Sequence, residues 1–100
     1  YVDTAVNNLA GYAVSKGALT QLARWLSTTM APEVRVNALS PGGVFRDQEP
    51  DFVRRYEDLT PLGRMATEDD LIGPTLFLAS DLSRYVTGHN LIVDGGFSVW

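Results

Sequence analysis

The sequence predicts an α/β fold, and three observations carry that prediction. A long helical stretch places Leu19, Leu22, Leu26 and Met30 at i, i+3, i+7 and i+11, the spacing of one buried stripe. Val34 to Leu39 alternates, with Val34, Val36 and Ala38 on one side, as a short strand does. Leu91-Ile92-Val93 is an apolar run suited to a strand covered on both faces. Helix, strand, helices, strand is the order of an α/β layer structure.

Taken in order, the first helix is expected over Ala10 to Met30, with Asn7 or Asn8 as its cap. Ala10, Ala13, Ala18 and Ala23 favour helix and allow close approach of a neighbour. Pro32 closes it, because a proline restricts the residue before it. After the Val34–Leu39 strand, Ser40-Pro41-Gly42-Gly43 reads as a loop, since Pro and paired Gly break both helix and sheet. Gln48 to Thr60 is polar and helical around Phe52, Val53 and Tyr56. Thr67-Glu68-Asp69-Asp70 reads as a helix start, with Thr67 as cap and acids in the first turn. That helix should turn Leu71, Ile72, Thr75, Leu76, Leu78 and Ala79 inward. Pro74 inside it removes a backbone bond, so either a bend or a tightened first segment is expected. Asp94-Gly95-Gly96 closes the last strand with a turn of positive φ.

The bulk numbers exclude several classes. One hundred residues, 45% hydrophobic and 20% charged, describe one small globular domain. A net charge of −4 gives no nucleic-acid footprint, and Arg54-Arg55 sits among Asp51, Glu57 and Asp58. No stretch reaches the ~20 apolar residues of a membrane span, and no signal peptide is visible, so a cytoplasmic location is the expectation. There is no cysteine, and His89 is the lone histidine, so disulfides, cysteine nucleophiles and metal clusters are not expected.

One motif carries chemistry. Tyr12-Ala13-Val14-Ser15-Lys16 puts Tyr12 and Lys16 four apart, on one helical face. An ammonium beside a phenol stabilises phenolate, so such a pair can exchange a proton with an alcohol or carbonyl oxygen. A solvated helix surface is the alternative reading of this motif taken alone.

Further motifs follow in order: Arg35-Val36-Asn37-Ala38-Leu39-Ser40-Pro41-Gly42, Pro61-Leu62-Gly63-Arg64-Met65, Phe77-Leu78-Ala79-Ser80-Asp81, Tyr85-Val86-Thr87-Gly88 and Val93-Asp94-Gly95-Gly96. With the YxxxK pair, this series resembles the C-terminal half of the short-chain dehydrogenase/reductase family, from about Ala10 to the C-terminus. The resemblance implies the last two strands, with flanking helices, of a Rossmann-type, doubly wound parallel sheet. It implies one domain over residues 1–100 whose N-terminal, nucleotide-binding half lies outside this sequence.

It also implies an NAD- or NADP-dependent oxidoreductase moving hydride between nicotinamide and a secondary alcohol or ketone. Tyr12 would be the general acid/base, and Lys16 its partner and a ligand of the nicotinamide ribose. Pro41, Gly42 and Val44 would meet the cofactor, with Val44 main chain at the carboxamide; a plain strand-ending turn is the alternative for Pro41-Gly42. Gly43, Phe45 and Phe52 would meet substrate. Residues Phe45 to Leu62 match the family's substrate-covering segment, where Phe45, Gln48, Phe52 and Tyr56 either line a pocket or anchor the segment. The wording of the Pro-Gly loop and last strand leans toward sugar derivatives of surface-polysaccharide pathways. A homodimer or homotetramer is implied, with Trp25 and Trp100 as contact residues; a core role is as open for Trp25.

The sequence departs from the family pattern in four places. The catalytic serine would fall before Tyr1, and the asparagine and the TGxxxGxG loop have no counterpart here. The family's Thr after the Pro-Gly loop is Arg46, which either meets a phosphate or faces solvent. A truncated, inactive member acting only as an oligomerisation or interaction module is therefore the rival expectation. Arg64 is expected in structural contacts.

Overall fold

A computed structural model describes residues 2–100, with side chains described from residue 10 onward. Its elements are α1 (Val2–Thr29), β1 (Ala38–Pro41), α2 (Pro50–Leu59), α3 (Asp69–Ala79) and β2 (Asn90–Val93). Short 3₁₀ turns occupy Asp81–Ser83 and Phe97–Val99. The described residues fall into two compact units, one of residues up to 38 with 86–89, the other of 39–85 with 90–100.

The first unit is built on α1. It is already helical at Val2, so Asn7 and Asn8 lie inside the helix and not at its N-terminus. The backbone of a cap residue must be non-helical, and the regular turns begun before them deny it that freedom. The helix ends at Thr29, ahead of Pro32 as expected. Its apolar stripe is not a buried one: Leu19, Leu22 and Met30 are exposed and Leu26 is half-buried. Among its described side chains α1 buries Ser27, whose hydroxyl donates to the Arg24 carbonyl at 2.7 Å. Gly88, at φ 73°, lies against it, and a Cβ there would come 2.7 Å from Ser27 Oγ.

The strand predicted from Val34 starts only at Ala38. Before that point the backbone pairing slips, with Gly88 N–H rather than His89 N–H donating to Val36 O at 2.7 Å, and side chains take the neighbouring amides. Val36 N–H donates to Thr87 Oγ1 at 3.1 Å, and His89 N–H donates to Asn37 Oδ1 at 3.0 Å. With those amides bonded to side chains, the regular ladder cannot extend backward. From Ala38 it is regular: Ala38 N–H donates to His89 O and Gly42 N–H to Val93 O. The offset is the same at both ends, so the two strands run parallel.

The second unit holds this two-stranded sheet with α2 and α3. α2 begins at Pro50, where a proline at the first turn loses no helical bond. α3 runs unbroken through Pro74. Asp70 N–H and Leu71 N–H donate to Thr67 O and Glu68 O, three residues back, the tightened first segment that was one of two expectations.

Thr67 does not cap α3. Its hydroxyl and N–H both donate to the Asp70 carboxylate, which also holds Arg64 and so outcompetes the helix amides. The predicted inward face of α3 is also corrected. Leu71 and Leu78 are half-buried, whereas Ile72, Thr75, Leu76 and Ala79 are exposed. α3 packs on β2 and on the following 3₁₀ turn, and one such contact covers only a narrow stripe. Met65, Thr60 and Ser83 are the buried residues of this unit, all in connections rather than in helices.

Candidate functional site

In the first unit, α1 positions Tyr12 and Lys16 by continuous helical backbone. They share a face as the spacing requires, with Lys16 Nζ 5.6 Å from the Tyr12 ring centroid. Tyr12 is 64% exposed, so its phenol is open to an incoming small molecule. Ser15, between them, donates its hydroxyl to the Tyr12 carbonyl at 2.8 Å and is spent on the helix.

In the second unit, the Pro-Gly loop is held from several sides. Pro41 ends β1 and is exposed. Gly43 N–H donates to the Tyr56 hydroxyl oxygen at 2.5 Å, and Gly43 O accepts Ala66 N–H at 2.9 Å. Phe45 N–H donates to Ala66 O at 2.8 Å, completing a parallel bridge between Val44 and Ala66. The Gln48 amide staples the next turn, donating to Val44 O at 2.9 Å and accepting from Arg46 N–H at 2.7 Å. Among the described residues, Val44 N–H has no partner. The loop thus leaves one main-chain donor open beside Gly43.

The glycines have a reason that the sequence concealed. A Cβ on Gly42 would sit 2.8 Å from Asp94 Cα and 3.0 Å from Tyr56 Oη. On Gly43 it would sit 2.7 Å from Tyr56 Cζ. Close approach is real here, but on that side the approaching groups are the protein's own.

Tyr56 is the residue that organises this region. Its ring stacks on Phe97, centroids 4.4 Å apart and planes within 7°. Phe52 lies one helical turn back, 6.2 Å away. A cavity of about 130 Å³ opens beside the loop, lined by Gly42, Gly43, Tyr56, Leu62, Arg64 and Asp94 among others. Gly43 belongs to it; Phe45 and Phe52, named beside it as substrate contacts, do not line it and stand nearly half exposed. Sequence reasoning missed Asp94 and Leu62 in this wall, and gave Gln48 no backbone role.

Charge in the region is paired. Arg64 holds Asp70 with bonds of 2.7 and 2.8 Å and donates to Met65 O, the structural role expected of it. The Arg64 hydrogen bond, then the Thr67 N–H, hold the Asp70 carboxyl well below the usual carboxylate range. Arg64 is correspondingly raised. Donors from Ser98, then the Gly96 N–H, lower Asp94. Arg46 pairs with Glu68 on the surface. Among the described residues no acidic or histidine cluster could hold a metal ion, and no helix is long and apolar enough to cross a membrane.

Comparison with known proteins bears on the whole arrangement. A family model described as enoyl-(acyl carrier protein) reductase matches residues 1–98. Galactitol 2-dehydrogenase (L-tagatose-forming) of Cereibacter sphaeroides is 42% identical, over 91% of this chain and 39% of its own length. Sorbose reductase of Candida albicans is also 42% identical, over 89% of this chain and 34% of its own. Among solved structures, a short-chain dehydrogenase of Leptospira borgpetersenii with bound NAD+ superposes with a TM-score of 0.85 at 48% identity, covering 87% of this chain and 35% of that one. A gluconate 5-dehydrogenase of Burkholderia cenocepacia, in complex with NADP and tartrate, gives 0.84 at 32% identity, covering 89% and 38%. The chain thus spans between a third and two-fifths of the length of these relatives. Its α/β architecture and parallel strand pair are those of their Rossmann-type fold. With nearly every residue inside the family match, the chain belongs to the short-chain dehydrogenase/reductase family of NAD(P)-dependent oxidoreductases.

Proposed function

We propose that this chain carries the proton-transfer and nicotinamide-facing elements of an oxidoreductase acting on a secondary alcohol or ketone of a sugar or polyol. The observation that carries the reading is the Tyr12–Lys16 pair: an open phenol with an ammonium 5.6 Å from its ring, fixed by one helix. Relatives named for galactitol and sorbose supply the substrate class.

Tyr12 holds the proton that moves to or from the substrate oxygen. A developing alkoxide needs a donor at hand, and a phenol on a rigid helix meets that need without reorganisation. Lys16 places positive charge beside the phenol and donates to the ribose hydroxyls. Pro41, Gly42 and Val44 form the wall toward the cofactor, with the unpartnered Val44 N–H for the carboxamide. When bound, NAD or NADP supplies or accepts the hydride. Gly43 faces substrate, and Phe45 and Phe52, exposed on the covering segment, close over it and exclude water.

Exposed Leu22 and Trp25 on α1, and Trp100, support packing against a second copy in a homodimer or homotetramer. A cytoplasmic setting accords with the cysteine-free composition.

The test uses full-length protein with Tyr12→Phe. Single-turnover reduction with prebound NAD(P)H should slow by at least about a hundredfold, the usual contribution of a positioned acid/base. Near-normal rates would remove Tyr12 from the mechanism.

A further inference from the structure

We propose that Tyr56 is a positioning residue for the nicotinamide-facing loop, fixing the Gly43 peptide so that Val44 N–H is presented to a carboxamide. The inference rests on the reading of Gly42–Val44 given above and adds to it a residue from the covering helix.

The geometry is that of a clamp. Gly43 is bonded at both backbone groups, by the Tyr56 hydroxyl at 2.5 Å on one side and Ala66 N–H at 2.9 Å on the other. Val44 follows directly, its carbonyl taken by Gln48 and its N–H left open. The Val44 N–H shares its peptide plane with the Gly43 carbonyl, which Ala66 holds; Tyr56 holds the adjoining Gly42–Gly43 peptide, and the two bonds together fix the Gly43 backbone and with it the direction of that N–H. Tyr56 can hold it because its own ring is fixed twice, by α2 and by the stack on Phe97 at 4.4 Å. The ring also fills the space where a Cβ on Gly43 would stand, and Asp94 with the Tyr56 hydroxyl fills it beside Gly42, so the loop has little room to relax toward α2. A phenylalanine would keep the ring against Gly43 and the stack on Phe97. Only the acceptor for Gly43 N–H would be lost, and that separates positioning from packing.

The consequence is selective. Ligands that use the Val44 N–H should feel Tyr56, and ligands without a nicotinamide ring should not. In full-length protein, Tyr56→Phe should weaken NAD(P)H binding by about threefold to tenfold, the worth of one hydrogen bond. It should leave binding of ADP-ribose, or of its 2′-phosphate if NADP is preferred, within about twofold. Phe97→Leu, which keeps the hydroxyl but loosens the ring, should shift the ratio of the two affinities in the same direction by less. Equal weakening of both ligands, or no change in their ratio in either variant, would overturn the proposal and leave Tyr56 a packing residue. Failure of the wild-type protein to bind NADH or NADPH would overturn the oxidoreductase reading itself, and this inference with it.

Discussion

The Asp70 carboxylate holds the Arg64 guanidinium through two bonds, of 2.7 and 2.8 Å, while also accepting the Thr67 N–H. One side chain thereby ties the Pro61–Met65 connection to the start of α3. Its pKa is lowered in the folded state, which favours the ionised form there over the unfolded chain. The stabilisation is complete above the unfolded value of about 3.9 and is lost as pH falls toward the lower folded one. Asp94, lowered by Ser98 and Gly96, adds in the same direction. Thermal unfolding should therefore drop on acidification below about pH 4. In Asp70→Asn that drop should be shallower; an unchanged acid limb would show that the pair contributes nothing.

Gly43→Ala should destabilise, because the new methyl would lie 2.7 Å from Tyr56 Cζ and 3.0 Å from Met65 Cε. Overpacking of this kind costs about 1–3 kcal/mol. Adding Tyr56→Ala should recover part of that loss, a non-additivity readable from urea unfolding of the two single variants and the double.

Gly63 and Gly96 separate conformation from crowding. Both have positive φ, 69° and 90°, but a Cβ on Gly63 meets nothing within 4 Å, while one on Gly96 meets Pro61 Cγ at 2.8 Å. Gly63→Ala should cost about 1–2 kcal/mol, the left-handed penalty alone. Gly96→Ala should cost clearly more. Equal shifts in the unfolding midpoint would contradict the packing of Pro61 on the final turn.

Lys16→Met keeps the helix and the length of the side chain while removing the charge near the Tyr12 ring. Turnover in full-length protein should fall by tenfold or more, with thermal stability almost unchanged because both side chains are exposed. A large loss of stability without loss of turnover would make the pair structural.

Much of this was legible in the chain itself. Helix α1 and the Tyr12–Lys16 face followed from periodicity, and β2 from a short apolar run between turn residues. The late start of β1 was hidden because Asn37 and Thr87, distant in sequence, supply side-chain partners where backbone ones were expected. The exposed faces of α1 and α3 were misjudged because an apolar stripe states only that a surface is fit for burial, not what covers it. The sequence does not show that Tyr56 and Asp94 crowd the Gly42-Gly43 pair on one side. Spacing along the chain cannot reveal which distant ring presses on a glycine.

The parallel pairing of β1 with β2 has a consequence during synthesis. Fifty residues or so separate the two hydrogen-bonding partners, as with Ser40 Oγ and Asn90 Oδ1. A nascent chain that has released β1 from the ribosome cannot zip it to β2 until Asn90–Val93 has emerged. Through that interval the edge of β1 toward β2 has its amides open to wrong partners, and a chaperone acting on this protein would have most to protect there.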